Sequence, residues 1–389
     1  MRKVKLGIIG VGNMGFSHTQ NLAKGLVPNV EITAICDIDA DKRKRIEDKF
    51  PDVQVYESKE EMYEKSGIEA VLIATPHYDH PPIAIDAFKR GLHVLSEKPA
   101  GVYTKQVLEM NEEAKKHPEL VFAVMYNQRT TDAYIKLKKL IDSGELGHIK
   151  RVNWTITNWY RSQAYHMSSD WRSTWKGEGG GTLINQNPHQ LDLWQWLFGM
   201  PDRIWAKTFN GKYHDIEVED EATIYYEYDN GMTGTYITST GEAPGTNRLE
   251  IACDMGKIVV ENSKLMYYRN TISEREYDRT TTVEFGIPEY WNCEIPTKAP
   301  SPTPHMAVIE AFANKILGTG ELVAEGEEGI NCVMLINGIN YSSWTGETVD
   351  VKNFPHDKYL ELLEEKIKNS KPKAKAVKKS GNVDMSGTF

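Results

Sequence analysis

The segment Val4-Lys-Leu-Gly-Ile-Ile-Gly10-Val-Gly12-Asn-Met-Gly15 decides the fold of this 389-residue chain. Its apolar start predicts a buried strand, and the three glycines that follow lead into a helical pattern near residues 14–24. Glycines at this spacing allow a tight turn and let the backbone approach a pyrophosphate at the helix N-terminus. Taken alone the pattern is weak evidence, because glycine triplets also occur by chance in loops.

The second predicted strand strengthens this interpretation. It covers residues 30–36 and is followed directly by Asp37, about 20 residues beyond the glycines, as in dinucleotide-binding units. The Asp37 carboxylate would accept hydrogen bonds from ribose hydroxyls and repel a 2′-phosphate. NAD is therefore expected rather than NADP, although Lys42 and Arg43 leave use of both cofactors open. A doubly wound domain that binds no dinucleotide is the structural alternative.

The first 125 residues alternate short apolar strands with helical stretches. Further strands are predicted at 53–56, 70–74, 92–96 and 120–125, and helices near 40–49, 58–66, 79–90 and 104–116. Ser58 and Glu61 form a capping-box signature. Strands that are apolar throughout and separated by helices indicate a parallel sheet covered on both faces, so residues 1–125 are predicted to form a doubly wound α/β domain.

The periodicity changes after a helix predicted at 131–142. Apolar and polar residues alternate along 152–157 and 222–228, and Asp229-Asn230-Gly231 then turns the chain into 233–240. Such runs predict antiparallel hairpins. Residues 126–360 are expected to form an α+β domain, with helices at 188–198, 305–317 and 327–341 on one face of its sheet. The Lys-rich residues 361–389 are expected to be a disordered tail.

Composition excludes several classes of protein. The net charge of −9 argues against a nucleic-acid or membrane-surface partner, and no apolar run approaches the roughly 18 residues that span a bilayer. The four cysteines lie far apart, which predicts reduced thiols in a cytoplasmic protein. His77 and His80 form an H-x-x-H pair without a third ligand, so no metal is expected.

Two further motifs make the prediction specific. Ser96-Glu97-Lys98-Pro99 follows a predicted strand, and Gly179-Gly180-Gly181 leads through Asn185 to His189. With the glycine segment and Ala74-Thr75-Pro76, they resemble the Gfo/Idh/MocA family of glucose–fructose oxidoreductases, inositol dehydrogenases and rhizopine catabolism proteins. The resemblance covers nearly all of the chain except the tail. It implies an N-terminal Rossmann domain, a C-terminal open-faced domain, NAD as cofactor, and a homodimer or homotetramer.

The resemblance also implies the catalytic residues Lys98, His189 and Asn185. Removing a hydride from a secondary alcohol requires its hydroxyl proton to leave, and burial favours the neutral form of a lysine that can accept it. His189 would complete a proton relay at the start of a helix in which Asn187 is the expected cap. Asp192, one turn further on, is expected to support the histidine or the fold.

Asn185 departs from the family pattern. Many sugar and cyclitol dehydrogenases of this type carry an aspartate at the position of Asn185. An amide cannot accept a proton, so Asn185 either orients the substrate hydroxyl or marks weakened or different chemistry.

The remaining site predictions fall into two sets. Residues expected to contact NAD are Gly10, Gly12, Asn13, Met14, Gly15, Asp37, Thr75, Pro76, His80, Glu97, Lys98, Asn127, Trp171 and Arg172. Residues expected to contact the substrate are Lys98, Tyr126, Trp159, Tyr165, Arg172, Asn185 and His189.

Seven of the nine tryptophans lie between residues 151 and 205. Those within regular elements, Trp154, Trp194, Trp196 and Trp205, are expected in the core. Those in the long loop, Trp159, Trp171 and Trp175, suit an aromatic platform for the apolar face of a sugar. Arg161, Arg172 and Lys176 in the same loop could instead hold a phosphate or carboxylate.

Three functions remain open at this point. The leading one is an NAD-dependent dehydrogenase that oxidises a secondary ring hydroxyl of a sugar, glycoside or polyol such as a cyclitol to a ketone. A 3-keto product is the narrower prediction. The second is an NAD-dependent glycosidase that uses transient oxidation and elimination. The third is a non-catalytic NAD- or sugar-sensing regulator, which the intact Lys98 and His189 disfavour and Asn185 mildly favours.

Overall fold

A computed structural model describes residues 2–299 and 301–370. Its first sheet has six parallel strands in the spatial order β3-β2-β1-β4-β5-β6. The strand order reverses between β1 and β4, where doubly wound sheets bind ligands. The strands are β1 (Val4–Ile9), β2 (Val30–Cys36), β3 (Gln54–Tyr56), β4 (Ala70–Ile73), β5 (His93–Ser96) and β6 (Phe122–Val124).

Helices connect these strands, as the alternating pattern predicted. The Ser58 hydroxyl accepts a hydrogen bond from the Glu61 N–H at 3.2 Å, which confirms the predicted cap of the third helix. The glycine turn holds the first helix close to β1, since a Cβ on Gly15 would lie 1.9 Å from the carbonyl oxygen of Gly10. The helices are α1 (Asn13–Ala23), α2 (Ala40–Lys49), α3 (Lys59–Lys65), α4 (His80–Lys89) and α5 (Thr104–Ala114).

The second sheet has nine strands in the order β14-β13-β12-β11-β7-β10-β9-β8-β15. Its pairs are antiparallel except for β7 and β10, which run parallel, so the predicted, mostly antiparallel sheet is confirmed. The strands are β7 (Ile149–Ile156), β8 (Arg203–Asn210), β9 (Glu219–Glu227), β10 (Thr233–Ser239), β11 (Asn247–Cys253), β12 (Gly256–Glu261), β13 (Lys264–Asn270), β14 (Tyr290–Ile295) and β15 (Val349–Asp350).

The remaining helices divide between the two sheets. Those of the second half are α6 (Asp132–Asp142), α7 (Gln163–His166), α8 (Thr182–Asn185), α9 (Pro188–Phe198), α10 (Glu274–Thr280), α11 (Pro304–Ile316), α12 (Gly329–Thr345) and α13 (His356–Lys368). Helices α9 and α12 pack with the second sheet, as predicted.

The prediction was wrong for α11, the helix expected near residues 305–317. Ile309 and Phe312 of α11 share a core cluster with Leu6 and Leu95 of the first sheet. An amphipathic helix can cover any apolar sheet face, and its own sequence does not indicate which one. The first domain is therefore completed by a helix from the second half of the chain.

The predicted tail begins too early. Helix α13 continues through Lys368, and its residues Tyr359 and Leu363 are buried. Their spacing of four places both on one face of the helix, and this apolar face orders residues that the lysine content had suggested were disordered. Residues 371–389 of the predicted tail lie outside the described residues. No helix in the described ranges is long and apolar enough to cross a membrane.

The tryptophan predictions are confirmed in part. Trp154 and Trp194 are fully buried, and Trp196 packs partly buried against the core. Trp205 is 48% exposed beside its cross-strand neighbour Tyr225, so its core assignment was wrong. Alternation along β8 places Trp205 on the open face of the sheet, whereas Ile204 faces the helices.

A buried ion pair fixes α9 to the segment that follows the first sheet. Nε and Nη2 of Arg129 donate to the two carboxylate oxygens of Asp192 at 2.8 and 2.6 Å, and both side chains are almost fully buried. Arg129 also lies 2.8 Å from Glu328. This bidentate contact gives Asp192 the supporting role that the sequence suggested, through the arginine rather than through His189.

We expect Arg129→Leu to lower the free energy of unfolding by about 3–5 kcal/mol, because it leaves the Asp192 charge buried without its partner. Urea titration followed by fluorescence measures the loss. The matched control is Arg203→Leu, which removes an exposed ion pair with Glu227 and should cost much less. Equal losses in the two variants would contradict a stabilising role for the buried pair.

Candidate active site

The cleft lies at the carboxyl ends of the parallel strands. The glycine turn follows β1, Thr75 follows β4 and Lys98 follows β5. Because the carboxyl ends of parallel strands meet at one edge of a sheet, these three segments lie side by side. The Gly180–Asn185 segment and α9 of the second domain close over this edge.

Lys98 joins the two domains. Its Nζ donates a hydrogen bond to the carbonyl oxygen of Asn185 at 2.7 Å. Burial lowers the pKa of Lys98 from its ordinary value, and the negative charges of Glu97 and Glu178 only partly oppose this effect. The structure therefore brings Lys98 and Asn185 together and shifts the amine toward its neutral form.

His189 lies in the first turn of α9, one helical turn beyond Asn185. Burial holds its pKa well below the ordinary value, and the charge of Lys98 adds to this effect, so the ring is neutral. Its Nδ1 is buried and has no hydrogen-bond partner within the described residues. A neutral imidazole with an unused nitrogen can accept or pass on a proton.

Asn187 does not cap α9 with its side chain, contrary to the prediction. Its Nδ2 donates to the carbonyl oxygen and hydroxyl of Thr182 at 3.0 and 2.8 Å. Its Oδ1 accepts a hydrogen bond from the Tyr236 hydroxyl at 2.5 Å. The amide ties α8 to the sheet and so holds the stretch between Asn185 and His189.

The Glu97 carboxylate lies next to Lys98 and accepts a hydrogen bond from the Lys98 backbone N–H at 3.2 Å. His18 donates to the same carboxylate at 2.7 Å, and both side chains are buried. Burial raises the pKa of Glu97, but the hydrogen bond and the nearby charges outweigh it and hold the pKa at about 2. The Nδ2 of Asn127 lies 3.2 Å from His305 in the same cluster. Glu97 is thus a permanent negative charge beneath Lys98.

The glycine turn fits a dinucleotide. A Cβ on Gly12 would meet nothing within 4 Å, whereas one on Gly10 would lie 2.7 Å from the carbonyl oxygen of Ala74. Space is therefore open at the N-terminus of α1, whose first residue follows Gly12 without a side-chain cap. Exposed Asn13 and half-buried Met14 begin the helix beside this space. The free N–H groups there suit a pyrophosphate.

Asp37 lies beside this turn, and its predicted contact with the ribose stays a prediction. Its Oδ2 accepts from the Val11 N–H at 2.8 Å, and its Oδ1 accepts from the Asp39 N–H at 2.9 Å. Lys42 Nζ is 3.7 Å from Oδ2. The carboxylate is 7% exposed and is rigidly placed at the end of β2.

The loop after β4 offers a cofactor fewer unpaired side-chain groups than predicted, because both ring nitrogens of His80 contact carbonyl oxygens. The two ring nitrogens of His80 each lie 2.8 Å from carbonyl oxygens, those of Thr75 and Pro99. His80 therefore ties the Thr75-Pro76 turn to the lysine segment and does not present a free nitrogen to a cofactor. The Thr75 hydroxyl is buried without a hydrogen-bond partner among the described residues.

The long loop contributes a cation between aromatic rings. The Arg172 guanidinium lies 4.5 Å from the ring centre of Tyr165 and 4.8 Å from that of Trp171. It donates to the Tyr165 hydroxyl at 2.5 Å, and Gln186 donates to the same hydroxyl at 3.0 Å. These contacts place Tyr165, Trp171 and Arg172 next to the Asn185 segment.

Other predicted site residues lie deeper or elsewhere. Tyr126 is fully buried in the core, and Trp159 is 7% exposed with Arg161 packed 5.5 Å from its ring. Trp175 packs against Trp344 with ring centres 5.4 Å apart, so it does not belong to an aromatic platform. The structure therefore brings only part of the tryptophan cluster to the cleft.

Sequence reasoning missed Glu178. This carboxylate is 1% exposed and contacts both Arg172 and Asn185. One sequence signal was available, because Glu178 is a charged residue directly before three small residues that lead to Asn185. Across the described ranges, no group of three His, Cys, Asp or Glu side chains is placed to hold a metal ion.

Comparison with known proteins agrees with this geometry. Residues 4–125 match the oxidoreductase family described as an NAD-binding Rossmann fold, and residues 134–259 match the GFO/IDH/MocA C-terminal domain. Among curated relatives, the inositol 2-dehydrogenase/D-chiro-inositol 3-dehydrogenase of Lactiplantibacillus plantarum is 26% identical over 59% of this chain and 63% of its own length. The myo-inositol 2-dehydrogenase of Thermotoga maritima is 24% identical over 67% of this chain and 75% of its own length.

Solved structures share the fold over most of the chain. The WlbA dehydrogenase of Bordetella pertussis, determined with NADH and UDP-GlcNAcA, superposes with a TM-score of 0.75 at 23% identity, over 90% of this chain and 98% of its own. A levoglucosan dehydrogenase in complex with NADH and levoglucosan gives a TM-score of 0.74 at 20% identity, over 90% and 100% of the two chains. At these identities the likeness shows the fold alone. The two family matches together cover more than half of the chain, and this protein belongs to the Gfo/Idh/MocA family of oxidoreductases.

Proposed function

We propose that this protein is an NAD-dependent dehydrogenase that oxidises a secondary ring hydroxyl of a sugar, glycoside or cyclitol to a ketone. The observation that carries the proposal is the meeting of Lys98 and His189 in one buried cleft, with both side chains shifted toward their neutral forms. Neutral bases at the carboxyl edge of a dinucleotide-binding sheet are what alcohol oxidation requires.

The reaction divides between the cofactor and the chain. Bound NAD would supply the acceptor for the hydride that leaves the carbinol carbon. Lys98 Nζ accepts the hydroxyl proton as the carbonyl forms, and Glu97 beneath it stabilises the resulting ammonium. His189, neutral and with Nδ1 unused, provides the second site for that proton. The oxidised carbon thus loses one hydride and its oxygen one proton.

The substrate class rests on the relatives and on the cleft lining. Two matched relatives are named as inositol dehydrogenases, and one structural neighbour is a levoglucosan dehydrogenase. All three names describe ring compounds that carry several hydroxyls. Tyr165, Trp171 and Arg172 offer ring faces and donors to such a compound. A 3-keto product stays a narrower prediction.

The site also favours a catalyst over a regulator. A sensor needs its ligand contacts, but it has no need of a lysine whose charged form is disfavoured by burial.

Exposed aromatic residues such as Trp205, Phe209 and Tyr225 on the open sheet face support a homo-oligomer. The four free cysteines suit a reducing, cytoplasmic location.

The direct test is incubation of the protein with NAD and a panel of polyols that includes myo-inositol, levoglucosan and glucosides, with NADH absorbance as the readout. We expect NADH to form with at least one ring polyol. NAD-dependent cleavage of a glycoside without net NADH would indicate the glycosidase instead. If the protein binds NAD but forms no NADH with any polyol of the panel, the dehydrogenase proposal is contradicted.

We expect kcat/KM for oxidation to rise with pH and reach a plateau, with an apparent pKa below the ordinary lysine value of 10.5. The sign follows from the role of Lys98, because the base must be neutral to accept a proton. His189 is already neutral and adds no further limb between about pH 7 and 10. Lys98→Met should lower kcat by about 100- to 10,000-fold while NAD binding persists. A flat profile, or an active Lys98→Met variant, would rule out this assignment.

We expect Asp37→Ser to lower the preference for NAD over NADP by about 10- to 100-fold, because it removes a charged hydrogen-bond acceptor and the repulsion of a 2′-phosphate. The measurement is kcat/KM for each cofactor. Asp48→Ser, at the exposed far end of α2, is the matched control and should leave the ratio unchanged. An unchanged ratio in Asp37→Ser would show that the ribose does not contact this carboxylate.

A further inference from the structure

Glu178 is a buried carboxylate that the proposed reaction does not use. It lies on the second-domain side of the cleft, between Arg172 and Asn185, and only 1% of its surface is exposed. A buried charge of this kind is costly unless several donors stabilise it. The donors that stabilise the Glu178 carboxylate therefore indicate its role.

Three kinds of donor surround the Glu178 side chain. The Ser173 backbone N–H donates to Oε2 at 2.5 Å, and Nη1 of Arg172 lies 3.4 Å from Oε1. The side-chain amide of Asn185 donates to Oε1 through Nδ2. A carboxylate held by these donors acts only as an acceptor. Asn185 must therefore turn its NH₂ group toward Glu178.

This contact fixes what Asn185 offers to the cleft. With Nδ2 committed to Glu178, the opposite atom of the amide, Oδ1, is left as an acceptor. That Oδ1 accepts no hydrogen bond within residues 2–299 and 301–370. The backbone oxygen of the same residue receives Lys98 Nζ at 2.7 Å. Asn185 thus carries the lysine contact and an unused acceptor on one residue.

We propose that Glu178 is a positioning residue that locks the Asn185 amide with Oδ1 as the acceptor for a substrate hydroxyl. The proposal rests on the dehydrogenase function above and deepens it. An alcohol can donate to Oδ1, whereas a ketone carbonyl cannot. The lock therefore gives the site a preference for the hydroxyl-bearing partner, and it explains how an amide serves at this position without accepting a proton.

The test exchanges the acid and the amide. Glu178→Gln removes the charge that orients Asn185, and we expect kcat/KM for polyol oxidation to fall about 10- to 100-fold, mainly through KM. Asn185→Asp places two carboxylates in contact, one of which must hold a proton, so activity at neutral pH should fall further. The double variant Glu178→Gln/Asn185→Asp restores one acid and one amide and should recover to within about 10-fold of the parent.

Controls separate positioning from folding. NADH affinity should be unchanged in Glu178→Gln, which should still unfold in one cooperative transition, and Glu112→Gln on the exposed surface of α5 should match the parent in every assay. Oxidation by Glu178→Gln at the parental KM would overturn the proposal. So would a double variant no more active than Asn185→Asp alone.

A second readout does not need turnover. In Asn185→Asp the shared proton raises one carboxyl pKa in the folded state, so the stability of this variant relative to the parent should decrease as pH rises through that pKa. The double variant should lose this pH dependence. If the parent oxidises no polyol but this coupling is present, the dehydrogenase proposal is contradicted, whereas the orientation of the Asn185 amide by Glu178 is supported. If the unfolding effects simply add, the lock itself is overturned.

Discussion

The hydrogen bond from Lys98 Nζ to the carbonyl oxygen of Asn185 is the contact on which the site depends. Lys98 follows a strand of the first sheet by two residues, and Asn185 ends a short helix of the second domain. Neither domain has the complete site by itself. The contact also withdraws the lysine from water, and this burial is what lowers its pKa. The contact between the domains and the burial that lowers the pKa of Lys98 are therefore the same event in physical terms.

Ionised groups lie around this contact, and burial is the largest effect that shifts Lys98 and His189 at its centre toward their neutral forms. Glu97 stays ionised because His18 donates to it, and Arg129 and Asp192 neutralise each other within the core. The Glu97 charge acts on both Lys98 and His189, whose charged forms burial disfavours. In the proposed reaction, a proton that leaves the substrate would reach a neutral acceptor, and the Glu97 and Glu178 carboxylates would stabilise the new charge.

The sequence predicts most of the first domain, because its signals are local. Apolar runs, the Ser58 cap and the glycine turn each act within a few residues, and the structure reproduces them. The features that the sequence could not predict depend on which helix and sheet surfaces pack together in the folded chain. Segments distant in sequence decide which sheet α11 covers and whether Trp205 faces the core or the open side of its sheet. They also supply the hydrogen-bond partners that keep the Asn187 amide from capping α9.

The candidate site shows the same division. Lys98, Asn185 and His189 could be named from short motifs, but the contact between Glu178 and Asn185 requires a folded loop. The glycines between them explain why that loop can form. A Cβ on Gly181 would lie 2.0 Å from the carbonyl oxygen of Glu219, so only glycine lets α8 approach β9 this closely.

Glu219 completes this arrangement from the sheet side. One of its carboxylate oxygens accepts the N–H groups of Gly181 at 2.9 Å and Leu183 at 3.1 Å, which fixes the start of α8. The helix is four residues long, so fixing its start also fixes its end at Asn185. The glycine motif is therefore a packing requirement rather than a source of flexibility. It sets the position of the carbonyl that receives Lys98, and with it the chemistry of the cleft.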